Sequence, residues 1–389
     1  MEGMGKIRSD WNTLLLNDVV TSAYCHLLSS APEVYRACYS LWPTGTFMEP
    51  WKGMVAQLYN CISEYPLLYS HLEGGKWITP SQAVIHDEDT QNAEDLASAL
   101  IAVGLPIVRL PKALLDMISD NHTFRMISPS FLRQYLQKVD INCLHLTQDL
   151  GFNLLDYCLG DVIDSEASAN LSELALIPLS NGRYGVFGDK SAKVSYFICS
   201  EKQHYLLDKV KSRLIERKIP PVLFQRLSQI ADISSTNIKF LSNTDFLTLL
   251  VEILPVEWKG QDEVKWLPGI VEAHPREVWM ATFWDYLRDS FTEFSLFDDW
   301  PIIPTIDGFM CRAKKSLGIV KSDGNLPQTL EKILVEVGCR VMRFDLQINH
   351  EFLPNCVHLP NLQGILDAIS SLSVYSGHTY DKMFSNISN

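Results

Sequence analysis

The chain has 389 residues, of which 47% are hydrophobic and 20% are charged, and its formal net charge is −13 at pH 7. The composition is that of an ordinary globular protein, and the length suffices for two or three hydrophobic cores. The acidic balance argues against general nucleic-acid binding and against anionic membrane surfaces, and no apolar run is long enough to span a bilayer.

The first 46 residues predict a helical connector. Gly3 and Gly5 indicate a loop over Met1–Arg8. Ser9 or Asp10 can cap a helix that follows at once and runs to about Ser30, because apolar residues then recur at helical spacing. Pro32 can begin a second, shorter helix.

Glycine turns predict three β-hairpins. The strongest signal is Asn181-Gly182 within Ile177–Tyr184, since a type I′ turn needs positive φ at both central residues. The stretch recurs as Ile303–Met310, with Asp307-Gly308 at the turn. A weaker copy has Gly74-Gly75 before Trp77. These turns build the fold and carry no chemistry themselves.

A second repeated stretch accompanies two of the hairpins. Val103–Leu110 matches Val337–Phe344, and each begins with a glycine that ends a helix, Gly104 or Gly338. Two motifs that keep a nearly constant separation indicate a repeated unit. The unit is helix, hairpin, helix, strand and short helix.

The predicted fold class is α+β, with tandem helix-plus-hairpin modules behind the N-terminal connector. Small hairpins need helices to cover them, so each hairpin is expected to pack on the helices of its own module. The predicted boundaries are 1–46 for the connector, 47–126 for the first module, 127–245 for the second, and 246–389 for the third with its tryptophan-rich segment and frayed tail.

One stretch suggests nucleotide chemistry. Gln91-Asn92-Ala93-Glu94-Asp95 resembles the core helix of Bergerat-type ATPases, in which the Asn binds magnesium and an upstream Glu activates water. Here the upstream acidic residues, Asp87, Glu88 and Asp89, lie in a loop-like run. No Asp-x-Gly-x-Gly nucleotide loop follows. A capped surface helix is the preferred interpretation.

Other candidate sites are weaker. Asp298 and Asp299 are adjacent, so their side chains diverge and favour a turn over an acid–base pair. Cys143-x-His145 offers too few ligands for zinc. No nucleophile elbow or phosphate loop is present. The sequence therefore predicts no catalytic, cofactor-binding or metal-binding residue, and no enzyme.

Tryptophans concentrate in the third module. Five of the nine in the chain lie between Trp258 and Trp300. Aromatic residues at helical spacing also mark a predicted helix from Arg276 to Phe294. These side chains form either a core or a groove for unfolded or partner segments. Solvent exposure of Trp258, Trp266 and Trp279 would distinguish the two.

The nine cysteines are scattered, odd in number and without a Cys-x-x-Cys pair. This pattern predicts reduced thiols and a cytoplasmic or nuclear location, of which we take the cytoplasm as the prediction. No basic-then-apolar signal segment opens the chain.

Five segments occur in a consistent order over most of the chain: Trp11–Val20, Tyr39–Pro43, Leu155–Leu159, Ile177–Gly182 and Asp299–Pro304. Together they resemble the sacsin repeats, and the resemblance is to plant members of that family in particular. Sacsin repeats are similar at their front end to the ninety-kilodalton heat-shock chaperones, which carry a Bergerat ATPase domain there. The resemblance implies that this chain lacks that domain and begins just after it.

The resemblance implies a non-enzymatic chaperone or co-chaperone segment of a protein quality-control protein. Its expected partners are polypeptide clients, other chaperones and an upstream ATPase domain, with neither nucleic acid nor membrane. An exposed apolar face on the first helix is expected if such a domain is missing. The alternatives are a Bergerat-type ATP-hydrolysing enzyme and a structural spacer or interaction scaffold. The sequence leaves the client and the oligomeric state open.

Overall fold

A computed structural model describes residues 2–37, 39–87, 93–118, 124–144, 146–162, 166–233, 235–293, 295–346, 348 and 351–375. Its α-helices are α1 Glu2–Leu14, α2 Thr21–Ser30, α3 Glu33–Ala37, α4 Trp51–Cys61, α5 Ala93–Ala102, α6 Lys112–Ile118, α7 Pro129–Leu136, α8 Gln148–Cys158, α9 Ala167–Leu171, α10 Glu201–Leu206, α11 Pro221–Ile233, α12 Asn243–Ile253, α13 Glu277–Ser290, α14 Gln328–Glu336, α15 Leu353–Cys356 and α16 Leu362–Tyr375.

The strands are short, and the chain is a mixture of helices and small sheets. They are β1 Leu68–Ser70, β2 Lys76–Ile78, β3 Val84–Asp87, β4 Ile107–Leu110, β5 Arg125–Met126, β6 Ile177–Pro178, β7 Tyr184–Gly185, β8 Tyr196–Ile198, β9 Ile238–Phe240, β10 Glu263–Lys265, β11 Ile303–Pro304, β12 Phe309–Cys311, β13 Ile319–Val320 and β14 Arg340–Val341. In the described part of the chain, no helix combines the length and apolarity needed to cross a lipid bilayer.

The chain divides into two units. The first consists of Met1–Tyr196 and Ile215–Lys239, and the second of Phe197–Leu214 and Phe240–Asn389. The division into a connector and three modules describes the repeat along the sequence and stays a prediction.

The loop expected over Met1–Arg8 is wrong. Helix α1 begins at Glu2 and continues through a π-helical stretch, Leu15–Val20, into α2 without leaving helical backbone angles. Gly3 and Gly5 weaken a helix, but extending an existing helix requires no new nucleation. Helix α2, which buries Thr21, Cys25 and Leu28, therefore supports the continuation toward the N-terminus.

The first unit has a core between its helices and a small parallel sheet. Strand β3 lies between β4 and β5 and pairs in parallel with both. The crossovers run through α5 and α6, as parallel strands require. Helices α2 and α4 contribute buried residues to the same core, including Cys25, Leu28 and Leu58.

The hairpins form at the expected glycines, but their turns differ from the predicted type. In the first unit, β6 and β7 pair antiparallel, and Gly182 N–H donates to Leu179 O at 2.9 Å. Gly182 has φ +78°, whereas Asn181 has no positive φ. The arrangement is a turn followed by one left-handed residue, not type I′. The second unit repeats it with Gly308, φ +81°, donating to Thr305.

The backbone pairing around these two hairpins is also repeated. In the first unit, Leu179 bridges Ile215, and Glu216 N–H donates to Pro178 O at 2.9 Å. In the second unit, Thr305 bridges Met342, and Arg343 N–H donates to Pro304 O at 3.0 Å. Each hairpin therefore anchors a later segment of the chain by the same pair of contacts. In the weaker copy, β1 and β2 pair antiparallel, with Gly75 at φ +97°.

The paired glycine stops are confirmed as one motif. Gly104 has φ +87° and Gly338 has φ +100°. In each case the next residue donates to the carbonyl five positions earlier: Leu105 to Leu100 and Cys339 to Leu334. This left-handed cap satisfies the last helical carbonyls. The strand after each cap then pairs in parallel, β4 with β3 and β14 with β13.

Candidate binding pocket in the second unit

The second unit is built around the aromatic concentration noted in the sequence. Trp258, Trp266, Trp284 and Trp300 are buried in its core. The indole N–H of Trp284 donates to Ile302 O at 3.0 Å, so a buried polar group is satisfied. The groove interpretation is therefore wrong for these four. Of the five, Trp279 is the one that is half-buried.

Trp279 lies at a cavity of about 690 Å³, which we call the Trp279 pocket. Four segments line it: the end of α10 with the turn after it, the end of α12, a loop before α13, and α13 itself. Their lining residues are Tyr205, Leu206, Asp208, Lys209, Ile253, Gly269, Ile270, Val271, Glu272, His274, Pro275, Arg276 and Trp279.

The Trp279 ring is held at two points. Its indole N–H donates to Leu206 O at 3.0 Å, and its ring stacks on Phe283 with centroids 5.1 Å apart. The N–H is thus already occupied, and one ring face is covered. What remains for a ligand is rigid apolar ring surface, which loses little entropy on binding.

The loop Trp266–Arg276 forms the opposite wall and is fixed by its neighbours. The sheet places its first residue, because β10 pairs with β12 and Trp266 N–H donates to Gly308 O at 2.8 Å. The buried Trp266 indole donates to Pro275 O at 2.8 Å and closes the loop. The Asp307-Gly308 hairpin therefore positions the pocket wall.

Lys209 joins two walls of the pocket. Its ammonium group donates to Ile253 O at 2.8 Å and to Ala273 O at 3.1 Å. Ile253 is the last residue of α12, where unsatisfied carbonyls and the helix dipole favour a cation. The positive charge of Lys209 therefore stabilises the end of α12 and the loop, at the edge of the pocket.

His274 stabilises the loop in its neutral form. Its Nδ1 accepts the Leu267 N–H at 3.0 Å, and its ring lies edge-on to Trp258. Burial lowers the pKa of His274; Glu257 acts in the opposite direction and Lys209 in the same direction as burial. A protonated Nδ1 cannot accept that hydrogen bond.

The pocket suits an apolar guest. Ile270 is 80% exposed at the loop tip, and Tyr205 is exposed at the other side. Asp208 and Glu272 are balanced by Lys209 and Arg276, so the rim has no net charge. The apolar residues and the fixed Trp279 ring favour burial of an aliphatic or aromatic side chain.

The chemical candidates from the sequence do not form a site. Asp299 lies 3.7 Å from Arg312, which also contacts Asp262, so Asp299 belongs to a surface ion-pair network. Asp298 meets the same arginine through its backbone carbonyl, which accepts from Arg312 Nε. Cys143 donates to Asp140, which raises the pKa of its thiol. Among described residues, no three His, Cys, Asp or Glu side chains cluster as metal ligands.

Some predicted residues lie outside the described ranges. These are Glu88, Asp89, Gln91 and Asn92 of the ATPase-like stretch, His145, Phe294, Cys38 and the tail after Tyr375. The other eight cysteines are free.

Sequence reasoning found Trp279 but missed its partners. Tyr205, Lys209 and Ile270 are far apart in sequence and carry no spacing signal. The one local signal was Pro268-Gly269 before an exposed Ile270, which indicates a turn with an apolar tip.

Comparison with known proteins gives one informative match. No protein-family model matches the chain, and no solved structure matches it. Sacsin from Homo sapiens is 25% identical to it over an alignment of 402 residues, and the alignment includes 93% of this chain. The chain spans about 9% of the length of that curated relative. The match covers nearly the whole chain and confirms the resemblance to sacsin that the ordered motifs in the sequence indicated.

Proposed function

We propose that this chain is a non-enzymatic, polypeptide-binding segment of a sacsin-family protein. Its Trp279 pocket receives an apolar side chain of an unfolded or partner polypeptide. The resemblance to a chaperone-related family supports the class of function. The observation that carries the proposal is the open cavity of about 690 Å³ beside a rigid tryptophan.

The pocket's construction supports recognition of side chains in general, without a fixed sequence. Its rim has balanced charge, and Leu206, Ile253 and Trp279 contribute apolar surface to its lining, so burial of apolar area provides the affinity. The Trp279 N–H and the Lys209 ammonium are engaged by the protein itself. A guest therefore gains no directional hydrogen bond from either, as expected for a site that accepts many apolar segments.

Exposed residues at the pocket test the proposal without disturbing the core. Ile270→Asp places a charge where a guest would be buried, and we expect roughly tenfold weaker binding of an unfolded polypeptide. Fluorescence anisotropy with labelled, reduced and carboxymethylated lactalbumin measures this. The matched control is Leu362→Asp, because Leu362 is 77% exposed in the same unit and does not line the pocket.

The outcomes separate the candidate functions. Binding by the native chain that falls with Ile270→Asp and persists with Leu362→Asp supports the proposal. If the native chain neither binds the unfolded protein nor suppresses its aggregation, the structural-spacer alternative is favoured and the proposal fails. Equal loss in both variants would also contradict a role for the Trp279 pocket.

A further inference from the structure

Helix α1 has little support from its own unit. Every residue from Lys6 to Leu14 is exposed, and Trp11 is 58% exposed. Isolated helices of about 12–15 residues are marginal in water, and Gly3 and Gly5 weaken this one further. A second surface is therefore needed to stabilise α1 by packing.

The exposed apolar residues form a stripe along the continuous helix. Ile7 and Trp11 are one α-helical turn apart, and Leu14 and Val19 are one turn apart across the wider π-helical stretch. All four side chains are exposed. We call these four residues the N-terminal stripe.

The core-facing side of the same helix is already occupied. Cys25 and Leu28 are fully buried in the first unit, together with the polar Thr21. Helix α4 packs there, and its Gly53 approaches the Asn17 amide. The N-terminal stripe is thus a second apolar surface on a helix whose first one is satisfied.

The spacing of the stripe is the same from either end. One helical turn separates the first two residues, three positions separate Trp11 from Leu14, and one turn separates the last two. Two copies packed antiparallel about a two-fold axis between Trp11 and Leu14 place Ile7 of one copy opposite Val19 of the other. Trp11 of each copy then lies opposite Leu14 of the other copy. Such a self-complementary surface is what an isologous dimer requires.

The charges along the stripe support the antiparallel orientation. Lys6 and Arg8 are exposed at its first end and Asp18 at its second, with Asp10 between them. Antiparallel packing brings the basic end of each copy to Asp18 of the other. Parallel packing would bring like charges together at both ends.

We propose that the N-terminal stripe is the interface of an antiparallel homodimer of this chain. A single pair of helices buries less area than the standard protein interface of about 1,600 Å². The dimer is therefore weak, with a dissociation constant on the order of 10–100 µM. This association is independent of the Trp279 pocket.

Sedimentation equilibrium of the full chain between about 1 and 500 µM tests the proposal across that range of affinities. Trp11→Glu removes a large apolar contact and inserts a charge, so we expect at least tenfold weaker association. Ile7→Glu is expected to act in the same direction. The matched control is Val222→Glu on α11, because Val222 is 68% exposed and Ile7 is 69% exposed in the same unit.

Charge exchange tests the orientation. Lys6→Glu and Asp18→Lys each create two repulsive contacts, and each alone is expected to weaken association roughly three- to tenfold. The double variant, or an equal mixture of the two single variants, restores it. In a parallel dimer each single variant would leave association unchanged.

Three results would overturn the proposal: a monomer throughout the concentration range, a dimer that persists in Trp11→Glu, or single charge variants that match the native chain. Circular dichroism and thermal unfolding confirm that each variant is folded. A folded native monomer would mean that a different chain covers the stripe.

Discussion

At the scale of single residues, the pocket depends on polar groups that are used to hold apolar surfaces in place. Trp279 is oriented by its bond to Leu206 O, and Lys209 joins α12 to the loop before α13. His274 accepts a backbone N–H within that loop. Each of these groups is satisfied by the protein, so the apolar surfaces beside them are held in a fixed arrangement.

The stability of this loop is expected to depend on pH through His274. Burial lowers its pKa below the unfolded value of about 6.5, so the unfolded chain binds a proton first as the pH falls. The stabilisation by neutral His274 is complete above about pH 6.5 and declines as the pH falls toward the folded pKa. His274→Asn keeps an acceptor for Leu267 N–H and does not titrate.

Urea unfolding from pH 7.5 to pH 5 measures this effect. The native chain should lose more stability over the range than His274→Asn, because the other histidines contribute equally to both proteins. Parallel curves for the two proteins would show that His274 does not couple loop stability to pH.

Residue type left open whether the tryptophans form a core or a groove, and it did not predict the pocket. Tryptophans bury large areas, and four of the five expected ones are in the core of the second unit. Trp279 is half-buried because one side of its ring lines the cavity between Leu206 and the loop that carries Ile270. This arrangement is set by tertiary packing, which no local spacing encodes.

At the scale of elements, the repeat is expressed most clearly in the helix caps. Gly104 and Gly338 adopt positive φ at the end of a helix, and the following strand pairs in parallel. A side chain at such a position costs about 1–2 kcal/mol in backbone strain. The glycine cap reverses the direction of the chain at the end of the helix, so that the strand after it lies beside its partner strand.

Alanine substitutions at two glycines of the first unit test this cap. A Cβ on Gly104 would lie 3.4 Å from Tyr135 Oη, so the expected destabilisation of about 1 kcal/mol comes from positive φ. Gly53 lies inside α4 with ordinary contacts, and Gly53→Ala should be neutral or stabilising by up to about 1 kcal/mol. Denaturant unfolding measures both, and the same sign for both would contradict the assignment.

The positions of glycines predicted the hairpins and the helix ends, because a positive φ angle strongly favours glycine. The parallel pairing of β3 with β4 and β5 was not predicted, since strands of two to four residues do not reveal their partners. The loop over Met1–Arg8 was wrong for a different reason. The low helix propensity of Gly3 and Gly5 favoured a loop, but helix α1 is continuous with α2, which stabilises it.

At the scale of the whole molecule, the chain consists of two units, and each has its own hydrophobic core. The sacsin match covers nearly all of this chain and a small part of the relative. The ordered motifs indicated the similarity to sacsin, and the helix and hairpin pattern indicated the mixture of helices and small sheets. The polypeptide-binding role rests on the Trp279 pocket, and the homodimer rests on the N-terminal stripe.

Site-specific photo-cross-linking tests the polypeptide-binding role most directly. A benzophenone amino acid replaces Tyr205 or Ile270 at the pocket, and Leu362 or Ile333 at exposed apolar positions elsewhere in the second unit. Each protein is irradiated with an unfolded, labelled lactalbumin. We expect cross-linked product from Tyr205 and Ile270, several-fold above that from Leu362 and Ile333. Equal yields at all four positions would contradict it.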